Sequence, residues 1–259
     1  MVSRKPNLET RQRRERIDRK LRELKLVAFA DRLSSQYDTP ASEEQCFEER
    51  LDQLLGMEIE ARSEKRTGRL LKKCGMHVRE QDARMEDIIV SDERGLRAAM
   101  WLRLKGCDWM TQRRPPSLLI TGMSWCGKTY IASALLRQAC EMGLTSKYIR
   151  APQLCSLLAQ ARKDGTIDRK LNMFKKIHLL VIDDLGINRM DREQCSDILD
   201  VIMERYEYMP TIYASQYPVE EWVKLMPKEA AANAILDRVI HGSYLLELKG
   251  ESLRRDVDQ

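Results

Sequence analysis

Glycine and proline are scarce in this chain, 12 and 8 among 259 residues. That argues against long loops and low-complexity segments. Histidine is scarcer still at 3, and the 7 cysteines include no Cys-x-x-Cys pair. Neither a zinc site nor a disulfide framework is expected, and reduced thiols in the cytoplasm are the simplest reading. No apolar run approaches the roughly 20 residues of a membrane span. The charged N-terminus also lacks the apolar segment of a secretory signal. A soluble, cytoplasmic chain without a membrane partner is therefore expected.

What is abundant is charge: 33% of residues are charged against 43% hydrophobic, with a net charge of +5. The excess is uneven. Residues 1–25 carry ten Lys/Arg against four acids, Glu9, Glu15, Asp18 and Glu23. Such an arm suits a polyanion, most simply nucleic acid, and suits a solvated tail equally well.

The spacing reads as unstructured or nascent helix over 1–14. Ile17, Leu21, Leu24, Val27, Ala28 and Leu33 then form one helical stripe. Pro40 breaks the pattern, and Ser42 caps a helix running to Cys74 with Phe47, Leu51, Leu54, Leu55 and Ile59 as its core face. Its basic second half includes Arg62, Lys65, Arg66, Arg69, Lys72 and Lys73. Residues 1–74 thus read as a small all-α N-terminal domain for oligomerisation or DNA contact. Residues 75–93 read as a linker and 94–259 as a catalytic domain.

From Leu118 onward strand and helix patterns alternate, the mark of a parallel α/β sheet. Strand Leu118–Thr121 leads into Gly122-Met123-Ser124-Trp125-Cys126-Gly127-Lys128-Thr129, which fits Gly-x-x-x-x-Gly-Lys-[Ser/Thr]. Backbone N–H groups of such a loop converge on an anion at a helix N-terminus. Gly122 to Tyr130 are the candidate nucleotide-binding residues. Lys128 is assigned to the β- and γ-phosphates and the Thr129 hydroxyl to Mg²⁺. Cys126 is open to oxidation or simply fills a loop position. The apolar run Ile177–Ile182 reads as a strand buried on both faces, and it ends in Asp183-Asp184. Asp183 is assigned to the metal shell and Asp184 to orienting or deprotonating the attacking water. Gln216 ends the next strand beside them, where it can bond the γ-phosphate or water, or cap the strand. Arg238 fits a finger supplied to a neighbouring subunit, or a solvated side chain paired with Asp237 or with an i−4 neighbour.

These residues carry a resemblance to a family. Leu118–Tyr130, Leu179–Gly186, Thr211–Ile212 with Ser215-Gln216 and Pro218-Val219, Ala234–Arg238 with His241, and Glu247–Ser252 with Arg254 together resemble IstB. So do the upstream Leu24-Lys25-Leu26, Phe47–Leu51 and Gly106–Trp109. IstB is the ATPase partner of the IstA transposase in bacterial insertion sequences. The likeness covers about residues 17–255. A more distant similarity is to the DnaC and DnaI helicase loaders and to DnaA, all AAA+ ATPases. The resemblance implies an AAA+ P-loop core, ATP and Mg²⁺ as cofactors, Lys128 and Thr129 as Walker A, and Asp183 and Asp184 as Walker B. It implies Ser215 or Gln216 as sensor, Arg238 as a finger acting across subunits, and Arg254 as a second interface or sensor arginine. It also implies a homo-oligomer assembled through ATP on duplex DNA, and stimulation of an IstA-like transposase. A DnaC-like loader, or a DNA-binding structural protein with a weak ATPase, are the rival expectations. Two positions depart from the family: Trp125 stands where a glycine is usual, and Asp184 where many relatives carry Glu. A bulky residue at 125 is expected to constrain the loop backbone.

Overall fold

The computed structural model describes residues 7–39, 45–219, 221–222 and 229–250. The expected cap at Ser42, most of the expected helix Val219–Leu225, and Glu251, Ser252 and Arg254 lie outside them. The chain divides into two compact units at Arg66/Thr67. That division falls within a helix, short of the expected domain end at Cys74.

The first unit is helical. Helix α1 spans Leu8–Glu23, α2 spans Val27–Tyr37 and α3 spans Phe47–Cys74. Helix α1 starts earlier than its apolar stripe indicates, because Asn7 caps it: the Asn7 side chain accepts from Thr10 N at 2.8 Å. The stripe is cut between α1 and α2, where Lys25 takes φ 59°. On α3 the expected core face is a correction. Leu54 is buried, but Phe47, Leu55 and Ile59 are 70%, 47% and 68% exposed. The buried line instead includes Glu58, whose carboxylate accepts from Phe29 N (3.1 Å) and from Arg62 Nε (2.8 Å). Burial alone would raise the Glu58 pKa, but these donors outweigh it and hold the group below its ordinary value.

The second unit is a five-stranded parallel sheet in the order β2-β3-β4-β1-β5. Its strands are β1 (Ser117–Thr121), β2 (Ser146–Arg150), β3 (Leu179–Asp183), β4 (Thr211–Ser215) and β5 (Ser243–Glu247). Alternate residues point to opposite faces. Leu118, Ile120, Val181 and Ile212 pack with α4 (Ala98–Lys105) and α5 (Lys128–Glu141) on one face. Leu119, Leu180, Ile182 and Tyr213 pack on the other face with α6 (Ala151–Lys163), the Phe174 side of α7 (Ile167–Lys175), α8 (Arg192–Arg205) and α9 (Glu229–His241). Helix α8 begins at a capping box in which Asp191 and Gln194 satisfy each other's backbone N–H. The segment expected to be a connection, 75–93, joins the first of these cores through Met76, Ala83 and Met85. Its few apolar residues are spaced among acids, which hides them from a periodicity search.

Candidate nucleotide site

Parallel strands put all their carboxyl ends on one edge, the edge where such sheets bind ligands. The register brings Thr121 beside both Ser215 and Glu247, and Arg150 beside Asp183. The candidate residues therefore meet there although up to about a hundred positions separate them in sequence.

The loop after β1 is shaped by backbone that needs glycine. Gly122 has φ 145°, and a Cβ on it would sit 2.3 Å from the Leu248 carbonyl oxygen. Gly127 has φ 99° and immediately precedes α5, whose N-terminus faces the loop. Lys128 is buried, and its Nζ donates to the carbonyls of Gly122 and Met123, each at 2.7 Å. Cys126 is buried, whereas the Met123 and Trp125 side chains are exposed. Trp125 adopts φ 72°, the left-handed region in which the sequence expectation placed its cost.

Asp183 is buried and fully engaged. Its Oδ2 accepts from Thr129 Oγ1 (2.8 Å) and from Tyr148 OH (2.7 Å), and its Oδ1 accepts from Asp184 N (2.8 Å). Burial, then the Asp183 charge, push the Tyr148 hydroxyl far above its ordinary pKa, so it stays a donor. Asp184 turns out of the strand at φ 56°. Its Oδ2 accepts from Arg150 Nε at 2.5 Å, and this bond raises the Arg150 pKa. The Gln216 side chain reaches the loop, where its Oε1 accepts from Ser124 Oγ at 2.9 Å. Ser215 faces away and is spent on structure, donating to Leu185 O and accepting from Trp222 Nε1. Arg238 stays within its own helix, donating to Ala234 O at 3.0 Å and lying 3.9 Å from Asp237.

A cavity of about 250 Å³ opens beside the loop. Ile88, Ile89, Leu96, Ile131 and Leu248 give it apolar walls, while Cys126 and Gly127 of the loop and Tyr130 of α5 close another side. Tyr130 OH donates to Asp87 Oδ2 at 3.1 Å and accepts from Arg84 N at 3.3 Å. An apolar slot next to an anion-binding helix N-terminus fits a nucleotide base and its phosphates. Among the described residues no group of three or more His, Cys, Asp or Glu is placed to hold a metal. Thr129 Oγ1 and Asp183 Oδ2, 2.8 Å apart, are oxygen donors of the kind Mg²⁺ takes, one or two from the protein and the rest from phosphate and water. Sequence reasoning missed Tyr148, Arg150 and the cavity. The first two answer to strand register, and the cavity is assembled from three distant segments.

The sheet order, the loop after β1 and the acidic end of β3 are the AAA+ form of the P-loop nucleotide-binding fold. Solved structures similar to the chain in shape agree. DnaI superimposes with a TM-score of 0.59 at 20% identity, over 68% of this chain and 95% of that one. The DnaC helicase loader gives 0.57 at 20%, over 67% and 100%. AMPPCP-bound DnaA from Aquifex aeolicus gives 0.54 at 23%, over 65% and 50%. At these identities the likeness speaks for the fold. More specifically, the chain matches the family of IstB-like ATP binding proteins over residues 19–258 and belongs to it. An insertion-sequence ATP-binding protein of Sinorhizobium fredii is 32% identical over 235 residues, 91% of this chain and 93% of that one. Another, from Pseudomonas fluorescens, is 36% identical over 198 residues, 76% and 84% respectively. Among the described residues no helix is long and apolar enough to cross a membrane.

Proposed function

We propose that the chain is an ATP-hydrolysing helper of DNA transposition, which assembles on duplex DNA and recruits or stimulates an IstA-like transposase. The observation that carries the ATPase part is the bonded set of Thr129, Asp183 and Tyr148 beside a loop closed by Lys128 and touched by Gln216. In this reading the base occupies the apolar cavity and the phosphates lie along the loop and the α5 N-terminus. Lys128 exchanges its loop carbonyls for phosphate oxygens. Thr129 and Asp183 would hold a Mg²⁺, which would supply charge neutralisation on the phosphates. Asp184 accepts the proton of the attacking water once its carboxylate leaves Arg150, and Gln216 orients the γ-phosphate or that water. Arg238, bonded only weakly within its helix, serves a neighbouring subunit's phosphate.

The transposition part follows from the family and from the insertion-sequence proteins it resembles over nearly its full length. The helicase-loader reading draws on the same fold, and affinity capture distinguishes the two: a transposase supports the helper, a replicative helicase the loader. The weak-ATPase reading draws on Trp125 in a left-handed conformation. Phosphate release in the presence of DNA tests hydrolysis directly. Lys128→Ala is expected to abolish it, and Asp184→Asn to slow it about 100-fold or more with ATP binding retained. Turnover in Asp184→Asn equal to the unaltered protein removes Asp184 from its role.

A further inference from the structure

Arg94 lines the cavity at its junction with the phosphate loop, and it stands out by what it is not bonded to. Its Nη2 donates to Cys126 O at 2.9 Å. No carboxylate lies within ion-pair distance of it among the described residues, although a guanidinium carries five donors. The other charged side chain lining the cavity, Asp87, is engaged by Tyr130. A half-buried cation left without a counter-charge is costly, and it becomes favourable when an anion arrives.

The backbone that carries Arg94 is fixed from several sides. Arg94 N donates to Ser91 Oγ at 3.3 Å, and Arg94 O accepts from Lys249 N at 3.0 Å. Next to it Gly95 has φ 79°, and a Cβ there would lie 1.9 Å from the Glu247 carbonyl oxygen. Leu248 N in turn donates to Thr121 O at 2.7 Å, at the start of the loop. The guanidinium is therefore held in place between the apolar slot and the α5 N-terminus rather than swinging in solvent.

Resting on the ATP-site reading above, we propose that Arg94 binds the phosphate nearest the sugar of the nucleotide. The geometry is that of a joint. The base fills the apolar end, the outer phosphates meet the loop and Lys128, and the first phosphate passes the guanidinium tethered to Cys126 O. The tether alone needs one neutral donor. The charge and the remaining N–H groups serve the ligand.

The test is competition of ATP, ADP, AMP and adenosine against a fluorescent ATP analogue on the full chain, with thermal melting of each protein alongside. Arg94→Met keeps the apolar stem and removes the charge. It is expected to weaken AMP, ADP and ATP by a shared factor of about 10 to 100 and to leave adenosine within about twofold. Arg94→Lys, which keeps a point charge without the fork, is expected to lose less. Equal weakening of AMP and adenosine overturns the proposal and makes Arg94 a tether of the loop. Unchanged AMP binding also overturns it. If Arg94→Met does not fold, the AMP-to-adenosine ratio in Arg94→Lys decides the same question: a ratio equal to that of the unaltered protein overturns the contact. Failure of the unaltered protein to bind ATP at all removes the nucleotide site itself, a different result from a site that binds ATP without help from Arg94.

Discussion

The two units solve the same problem, burying enough surface to fold, in different ways. Residues 67–250 place apolar side chains on both faces of a sheet and bury Leu118, Ile120, Leu180, Ile182 and Ile212 completely. Among the described residues of 7–66 the buried apolar side chains are Ala30 and Leu54, while Leu8, Leu24, Phe47 and Ile59 lie largely in solvent. Residues 7–66 are held by polar links instead, with Arg22 to Asp18 and Asp31, and Glu58 to Phe29 N and Arg62. Ion pairs as exposed as those of Arg22 contribute far less than a packed core. The larger apolar core therefore lies in the unit that carries the candidate nucleotide site.

The largest expected effect lies within the sheet unit. Arg205 is buried with no acid in ion-pair distance among the described residues, its guanidinium donating to Thr211 Oγ1 and to the carbonyls of Phe174, Ile177, His178 and Pro210. Burial lowers its pKa to about 10, yet it remains charged at neutral pH. Arg205→Met orphans those carbonyls and is expected to cost about 3–5 kcal/mol in denaturant unfolding. A loss below about 1 kcal/mol would mean that the carbonyls find water. The next test separates the units. A fragment of residues 67–259 is expected to unfold in one sharp transition, and a fragment of 1–66 to melt gradually, as a chain with little core does. Equally sharp melting of both would erase the contrast. At the loop, Trp125→Gly relieves a left-handed residue and is expected to stabilise the chain by about 1 kcal/mol, measured by thermal melting. A destabilisation there would show that the indole contributes more than its backbone costs.

The smallest effect concerns pH. The folded Glu58 pKa lies below its ordinary 4.5, so its contribution is present above that value and is lost as pH falls through the folded pKa. Helicity of the 7–66 unit, followed by circular dichroism on the 1–66 fragment, is expected to fall below about pH 4.5. Glu58→Gln is expected to flatten that fall, and an unchanged acid limb would remove Glu58 as its cause.

How legible all this was depended on distance along the chain. The places of the Gly122–Thr129 loop and of Asp183-Asp184 at the ends of β1 and β3 could be read because each is a local pattern following an apolar strand. Gln216 could be read because strand ends in a parallel sheet share an edge. Arg150 could not, since only the β2–β3 register sets it beside Asp183. The cavity could not either, as Ile89, Ile131 and Leu248 meet only after folding. Periodicity found α3 but not its buried line, because an apolar stripe tells which residues share a face and not what covers it. The charged start of α1 was missed because its signal is one capping side chain, Asn7, rather than a stripe.

In the proposed function, ATP held at this site drives assembly on DNA. Electron microscopy of the full chain with duplex DNA, comparing a slowly hydrolysed ATP analogue with ADP, tests it most directly. Rings or filaments on DNA with the analogue and not with ADP are predicted. Isolated monomers on DNA with both nucleotides would contradict the claim and leave Arg238 without a neighbouring site to serve.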